Sequence, residues 1–254
     1  SSHTDLLTDG SEVGNASGYS PFRTWVHIAY SHDGSNHRLF VNGRLAATAG
    51  DNITYNSSGQ LKIGDSGSSD YICIGPMRIV NGTAVYPTTY DFFPPTGIFT
   101  KTGSTYYSLK DPFSGSGGNT SVNNSVTASH TKLLINWGNT LGIHDNAGGF
   151  EQFVNHNEAN AGGPTSSTGV QKYSVPSILF DRSVGDRIEF DNGYHSIDTR
   201  GIAQYENFAF EAWVQWIGSA TTQYGVEPHI FTINQANLTN QYVSGGGEVS
   251  VSAR

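Results

Sequence analysis

Apolar residues recur at every second position along much of this chain, and that period constrains the fold more than any other feature. Residues 208–216 are the clearest case. Phe208, Phe210, Ala212, Val214 and Trp216 alternate with Ala209, Glu211, Trp213 and Gln215. A strand points successive side chains to opposite faces, so the first set forms one continuous apolar surface. Over residues 23–31, Val26, Ile28 and Tyr30 point one way, and Trp25, His27 and Ala29 the other. Over 37–42, Leu39 and Val41 alternate with Arg38 and Phe40. Asn42-Gly43 follows and reads as a tight hairpin turn, because both residue types tolerate positive φ. Further strands are expected at 60–63, 71–74, 77–80, 132–136, 177–181, 186–191, 229–233 and 248–252. No segment shows the 3.6-residue period of an amphipathic helix.

Composition agrees. Charged residues make up 13% of the 254, and Gly contributes 31. Long helices need more Glu, Lys, Leu and Ala than this. The formal net charge is −8, with 13 Lys plus Arg spread along the chain. That argues against a nucleic-acid partner, which calls for a clustered basic face. It argues equally against an anionic membrane surface, and no apolar run approaches the ~20 residues that span a bilayer. Cys73 is the only cysteine, so no intrachain disulfide forms. It lies in the apolar run Tyr71-Ile72-Cys73-Ile74 and reads as a small buried hydrophobe.

Many short strands separated by turn signals point to an all-β fold, a two-sheet antiparallel sandwich. One stretch breaks the texture. Residues 111–130 are dominated by Gly, Ser, Asn and Thr and read as a linker between residues 1–110 and 131–254. Residues 159–169 read as a surface loop.

Trp25-Val26-His27-Ile28-Ala29, followed by Leu39-Phe40-Val41-Asn42-Gly43, resembles a hairpin of concanavalin A-like and laminin-G-like (pentraxin-like) jelly-roll domains. Leu61-Lys62-Ile63-Gly64, Gly75-Pro76-Met77-Arg78-Ile79, Gly82-Thr83-Ala84-Val85-Tyr86 and Phe93-Pro94-Pro95-Thr96 continue the likeness in order. Residues 1–110 thus resemble the second half of such a domain. The ending is similar to repeats in tail and other structural proteins of marine bacteriophages. Residues 131–254 resemble the first half, through Leu133-Leu134-Ile135-Asn136, Ile178-Leu179-Phe180-Asp181, Gly185-Asp186-Arg187-Ile188 and Phe208-Ala209-Phe210-Glu211-Ala212-Trp213-Val214. Where the family usually has Phe-Asp-Gly, this chain has Phe180-Asp181-Arg182. The resemblance implies a jelly roll with the family halves in circularly permuted order, completed within the chain or by a neighbouring copy.

Catalysis by a glucanase on such a fold needs carboxylates at alternate positions of one strand, flanking a glycosidic bond. Glu189-Phe190-Asp191-Asn192-Gly193 supplies two acids and a glycine in the third place. No Gly-x-Ser-x-Gly elbow and no His-Glu-x-x-His spacing is present. The chain is therefore expected not to be an enzyme. Sugar binding needs exposed aromatics beside polar groups, and Tyr71, Tyr194 and Tyr224 are the candidates. Trp216 shares the face of Phe208 and Phe210 and is assigned to the core. No cofactor is required, but calcium fits a family of this kind. It wants six to eight oxygens, to which the loop acids Asp145, Asp181 and Asp186 would contribute. Three function classes follow. The first is a structural or adhesive module of an extracellular or virion assembly, a tail, fibre or filament, with neighbouring copies as head-to-tail partners. The second is a lectin module that binds surface glycans, and the third a glycoside hydrolase.

Overall fold

Val26–His32 is buried at all seven positions, and Phe208–Trp216 at all but Gln215, so these strands are covered on both faces. A computed structural model of the chain describes residues 4–8, 11–15, 24–50, 60–64, 71–86, 89, 91–102, 104–109, 120–124, 126–136, 154–156, 164–181, 186–190, 207–217, 229–234 and 249–253. These residues form an all-β, antiparallel, β-sandwich-like arrangement with no helix among them.

Eighteen strands are present in chain order among the described residues. They are β1 (Thr4–Thr8), β2 (Ser11–Asn15), β3 (Val26–His32), β4 (Asn36–Val41), β5 (Arg44–Gly50), β6 (Gln60–Ile63), β7 (Tyr71–Asn81), β8 (Asp91–Phe92) and β9 (Ser104–Leu109). Then come β10 (Thr120–Asn124), β11 (Thr131–Ile135), β12 (Val154–His156), β13 (Thr165–Lys172), β14 (Val175–Asp181), β15 (Arg187–Phe190), β16 (Phe208–Trp216), β17 (His229–Asn234) and β18 (Val249–Ala253). One sheet runs β13-β14-β7-β16-β3-β4-β5, with β11 also paired to β7. A second runs β12-β15-β6-β17-β18-β1-β2, and a small third sheet runs β10-β9-β8.

The alternating apolar residues meet where alternation places them. Val26, Ile28, Ile79, Phe208, Phe210 and Val214 of the first sheet join one buried cluster with Ile63, Ile188, Ile230 and Phe231 of the second. Phe210 stacks on Phe231 at 4.2 Å between ring centres, which ties the two sheets directly. Burying rings of this size stabilises by about 2–3 kcal/mol each.

Several features differ from the expectation drawn from sequence, among them Thr120–Asn124, expected within the linker 111–130, which is strand β10 paired to β9. The expected strands 71–74 and 77–80 are one strand, β7. Pro76 has no N–H to give a ladder, so a central strand tolerates it only at an irregularity. Here β14 pairs with Tyr71–Ile74 and β11 with Met77–Val80, so Gly75-Pro76 falls where one neighbour hands over to the other. On its opposite edge the register with β16 shifts at the same place, across Trp213. Residues 165–169, expected in a surface loop, belong to β13, which is largely exposed and lies at a sheet edge.

Asn42-Gly43 does form the two-residue hairpin turn, with φ of 51° and 77°. The Asn42 side-chain oxygen accepts the His27 amide at 2.9 Å, and the Asn42 amide donates to the His27 carbonyl at 2.8 Å. The Phe92 amide donates to the Gly43 carbonyl at 2.8 Å. The Asp91 carboxylate accepts the Leu45 amide at 3.0 Å.

Candidate functional site

The start of β7 and the end of β14 bring an aromatic ring and two carboxylates to one end of the larger sheet. Tyr71 is 41% exposed, although the rest of β7 is buried. Asp181 is its direct partner across the ladder. Residues so placed have Cβ atoms roughly 5 Å apart on a shared face. The Tyr71 carbonyl accepts the Ile217 amide at 2.9 Å, which anchors the backbone beneath the ring. Asp186 is buried, and its Oδ2 accepts the Asp181 amide at 3.0 Å. The Asp186 amide returns a bond to the Asp181 carbonyl at 3.2 Å. Gly64 lets this turn sit close: at its φ of 74°, a Cβ would meet the Phe180 ring at 2.5 Å. An exposed ring beside a carboxylate can stack on the C–H face of a sugar and accept its hydroxyls.

Of the other candidates, Asp145, Tyr194, Tyr224 and Asp191 lie outside the described residues. Glu189 lies on β15. The structure thus brings together Tyr71, Asp181 and Asp186. Among the described residues no group of three or more His, Cys, Asp or Glu could hold a metal ion. Trp216 belongs to the core between the two large sheets. Cys73 is buried, and burial pushes its thiol up to about 11.

Sequence reasoning missed a charged cluster on the other face of the larger sheet. Arg78 on β7 and Glu211 on β16 are ladder partners. The guanidinium donates to Glu211 Oε1 from Nε at 2.6 Å and from a terminal nitrogen as well. The Tyr86 hydroxyl donates to Oε2 at 2.5 Å. His27 Nε2 stands 3.7 Å from the same oxygen, beyond hydrogen-bond reach. Burial pulls the Glu211 carboxyl upward, but Arg78, His27 and the Tyr86 hydroxyl together outweigh it and hold it down at about 2. Alternation puts Glu211 on the face opposite Phe210 and Ala212, but only the structure shows that this face is covered.

Residues 84–86, 89 and 91–101 cover this face as a strap. Val85, Tyr86 and Phe92 pack on Ala29, Phe40, Val80 and Ala209, and Phe99 packs on Leu134 and Trp213. Three successive carbonyls stitch the strap down. Phe99 accepts from the Asn136 amide group at 2.6 Å, Thr100 from Arg78 at 2.9 Å and Lys101 from the Thr131 hydroxyl at 2.7 Å. Glu211 therefore holds both ends of the strap, Tyr86 directly and Thr100 through Arg78. The cluster is closed to solvent, and its chemistry is that of a fastening.

Beside it, Tyr173 and Ser174 form a second hairpin turn with φ of 56° and 59° and no glycine. Tyr173 is held by a hydrogen bond from its hydroxyl to the Pro95 carbonyl. Its ring meets Trp213 edge-on at 5.7 Å, and Lys172 Nζ lies 3.6 Å over the Trp213 ring.

Comparison with protein-family models, with curated proteins and with solved structures finds no match to this chain.

Proposed function

We propose that the chain is a non-catalytic structural or adhesive module of an extracellular or virion assembly, such as a tail, fibre or filament. In this reading it is a concanavalin A-like jelly-roll sandwich whose family halves run in circularly permuted order. One observation carries it: β16, from the second half of the chain, lies between β7 and β3 of the first half. Both halves thus contribute to one core, as the resemblance of each half to the opposite half of a single domain requires. The Arg78–Glu211 cluster supports the non-catalytic part. Its charged groups are buried under the strap, where they fasten the fold. Negative-stain micrographs of the purified chain at rising concentration test the assembly. Strings or filaments are expected, and isolated particles at every concentration would overturn it.

A lectin reading is favoured by Tyr71 and Asp181 alone, the exposed ring beside a carboxylate. A glycan array tests it. Binding that disappears in Tyr71→Ala supports it, and an array without signal removes it. Reducing-sugar release from several polysaccharides would show a hydrolase instead.

A further inference from the structure

His27 lies beneath the strap and is fully buried. Among the described residues neither of its ring nitrogens has a hydrogen-bond partner. Trp213 faces it across the ladder between β3 and β16, and the indole nitrogen has no partner either. A buried polar atom left unbonded costs about 1–3 kcal/mol. Such atoms are rare in native interiors, and each calls for a reason. The strap thus closes over polar groups that it does not satisfy. Its fastenings at Arg78, Glu211 and Tyr86 work against that cost, so the closed cover is opposed from within.

Several elements bring groups to His27. From β16 comes the Glu211 carboxylate, with Oε2 3.7 Å from Nε2. From β7 comes the Arg78 guanidinium, which donates to Glu211 Oε1 from two nitrogens. The strap brings the Tyr86 hydroxyl, bonded to Oε2, and the Phe92 and Phe99 rings at 6.0 and 6.3 Å. The Trp213 ring stands 5.3 Å away, with Lys172 Nζ over it. Asn42, in the hairpin turn, bonds the His27 backbone. One carboxylate is thus set among two cations before His27 takes a proton. An imidazolium here would lie beyond hydrogen-bond reach of Oε2 and out of water. Arg78 and Glu211 act on it with opposite signs, so the loss of hydration decides. That loss is several kcal/mol. Attraction to ring faces returns about 2 kcal/mol, which is less.

We propose that the strap is an acid-released cover: a proton on His27 lifts it from the larger sheet and uncovers the apolar face of Ala29, Phe40, Val80 and Ala209. With the strap open the imidazole meets water, and an imidazole in water takes its proton near pH 6.5. The open form therefore gains on the closed one as pH falls below about 6.5, by up to about tenfold per pH unit. Glu211 keeps its charge through this range, because its partners hold it at about 2. Release by His27 and loss of the Glu211 fastening are separate events, the first in mild acid and the second in strong acid.

Two strap amides report the opening. The Tyr86 amide donates to Ser31 Oγ at 3.4 Å, and the Phe92 amide to the Gly43 carbonyl at 2.8 Å. Their hydrogen exchange is followed in the full chain at about pH 7.5 and about pH 5, each corrected for the intrinsic rate. Protection of both should fall by about ten- to thirtyfold at the lower pH. It should stay unchanged in His27→Gln, which keeps a polar side chain and takes no proton. Amides of β16 should keep their protection, which separates release of the strap from unfolding. Equal protection at both pH values overturns the proposal, as does a fall that persists in His27→Gln or that β16 shares. A second measurement needs no substitution. Nuclear Overhauser contacts from the His27 ring to Phe92 and Phe99 should vanish over the pH interval in which that ring becomes charged. A ring that gains its charge with those contacts intact overturns the proposal as well.

Discussion

Arg78 and Glu211 face each other across the central ladder between β7 and β16, buried to 2% and 1% exposure, and fasten the strap that covers the sheet. Burying both charges costs several kcal/mol, which their hydrogen bonds offset only together. Glu211→Ala leaves the guanidinium uncompensated and should cost about 3–5 kcal/mol. Replacing both by apolar residues, Arg78→Met with Glu211→Leu, should recover most of that loss. Urea unfolding of the three proteins checks both expectations. A double variant as weak as the single would show that the strap needs the ions themselves.

The same carboxyl makes stability depend on acidity. Its value falls from an ordinary 4.5 to about 2 on folding. A depressed folded value stabilises the fold fully above the unfolded one. The contribution is then lost as pH falls from about 4.5 toward 2. Melting temperature measured between pH 5 and 2 should fall more steeply in the parent chain than in Glu211→Gln. Parallel slopes would remove Glu211 as the cause.

Phe210 is fully buried and stacked on Phe231 of the facing sheet. Phe210→Ala should cost about 3–5 kcal/mol through the lost transfer energy and the cavity left behind. A change near zero in denaturant midpoint would place the ring outside the core.

Gly43 carries a positive φ, and a Cβ there would meet the Phe92 carbonyl oxygen at 1.9 Å. That oxygen belongs to backbone, so the strap must move at Phe92. Gly43→Ala should cost at least about 2 kcal/mol, more than the 1–2 kcal/mol of left-handed strain alone. Deleting the clash partner is not possible, but hydrogen exchange at Phe92 should quicken, since its amide bonds the Gly43 carbonyl.

Ser174 offers the opposite case. It is exposed, and its φ of 59° costs an L-residue about 1 kcal/mol or more. Ser174→Gly relieves that strain and should raise stability by about 0.5–1 kcal/mol, after the entropy that glycine loses. Tyr173 is the wrong residue for the same change, because its ring and hydroxyl hold the turn against Trp213 and Pro95. Thermal melts of Ser174→Gly and Tyr173→Gly should move in opposite directions.

The core strands were legible in the sequence because a two-residue period is a local property. Residues 208–216 form β16, and the Asn42-Gly43 turn follows from two adjacent residues. Strands with weak alternation, such as β5 and β13, were not legible, since polar edge strands take their form from a neighbour's ladder. Tyr71, Asp181 and Asp186 were each named from sequence, but their meeting was not, because 110 positions separate Tyr71 from Asp181.

By itself, the sequence determined the core strands, such as β3, β4 and β16, and which of their side chains share a face, through alternation and turn chemistry. Only tertiary structure decided what covers the second face. Nothing in the spacing of Tyr86, Phe92 and Phe99 says that they close over Ala29, Phe40 and Trp213, or that Glu211 will be buried and paired. Period two tells that two faces exist, and it says nothing of which is wet. That is settled by long-range contacts, where a strap of irregular chain trades the solvation of its own carbonyls for Asn136, Arg78 and Thr131.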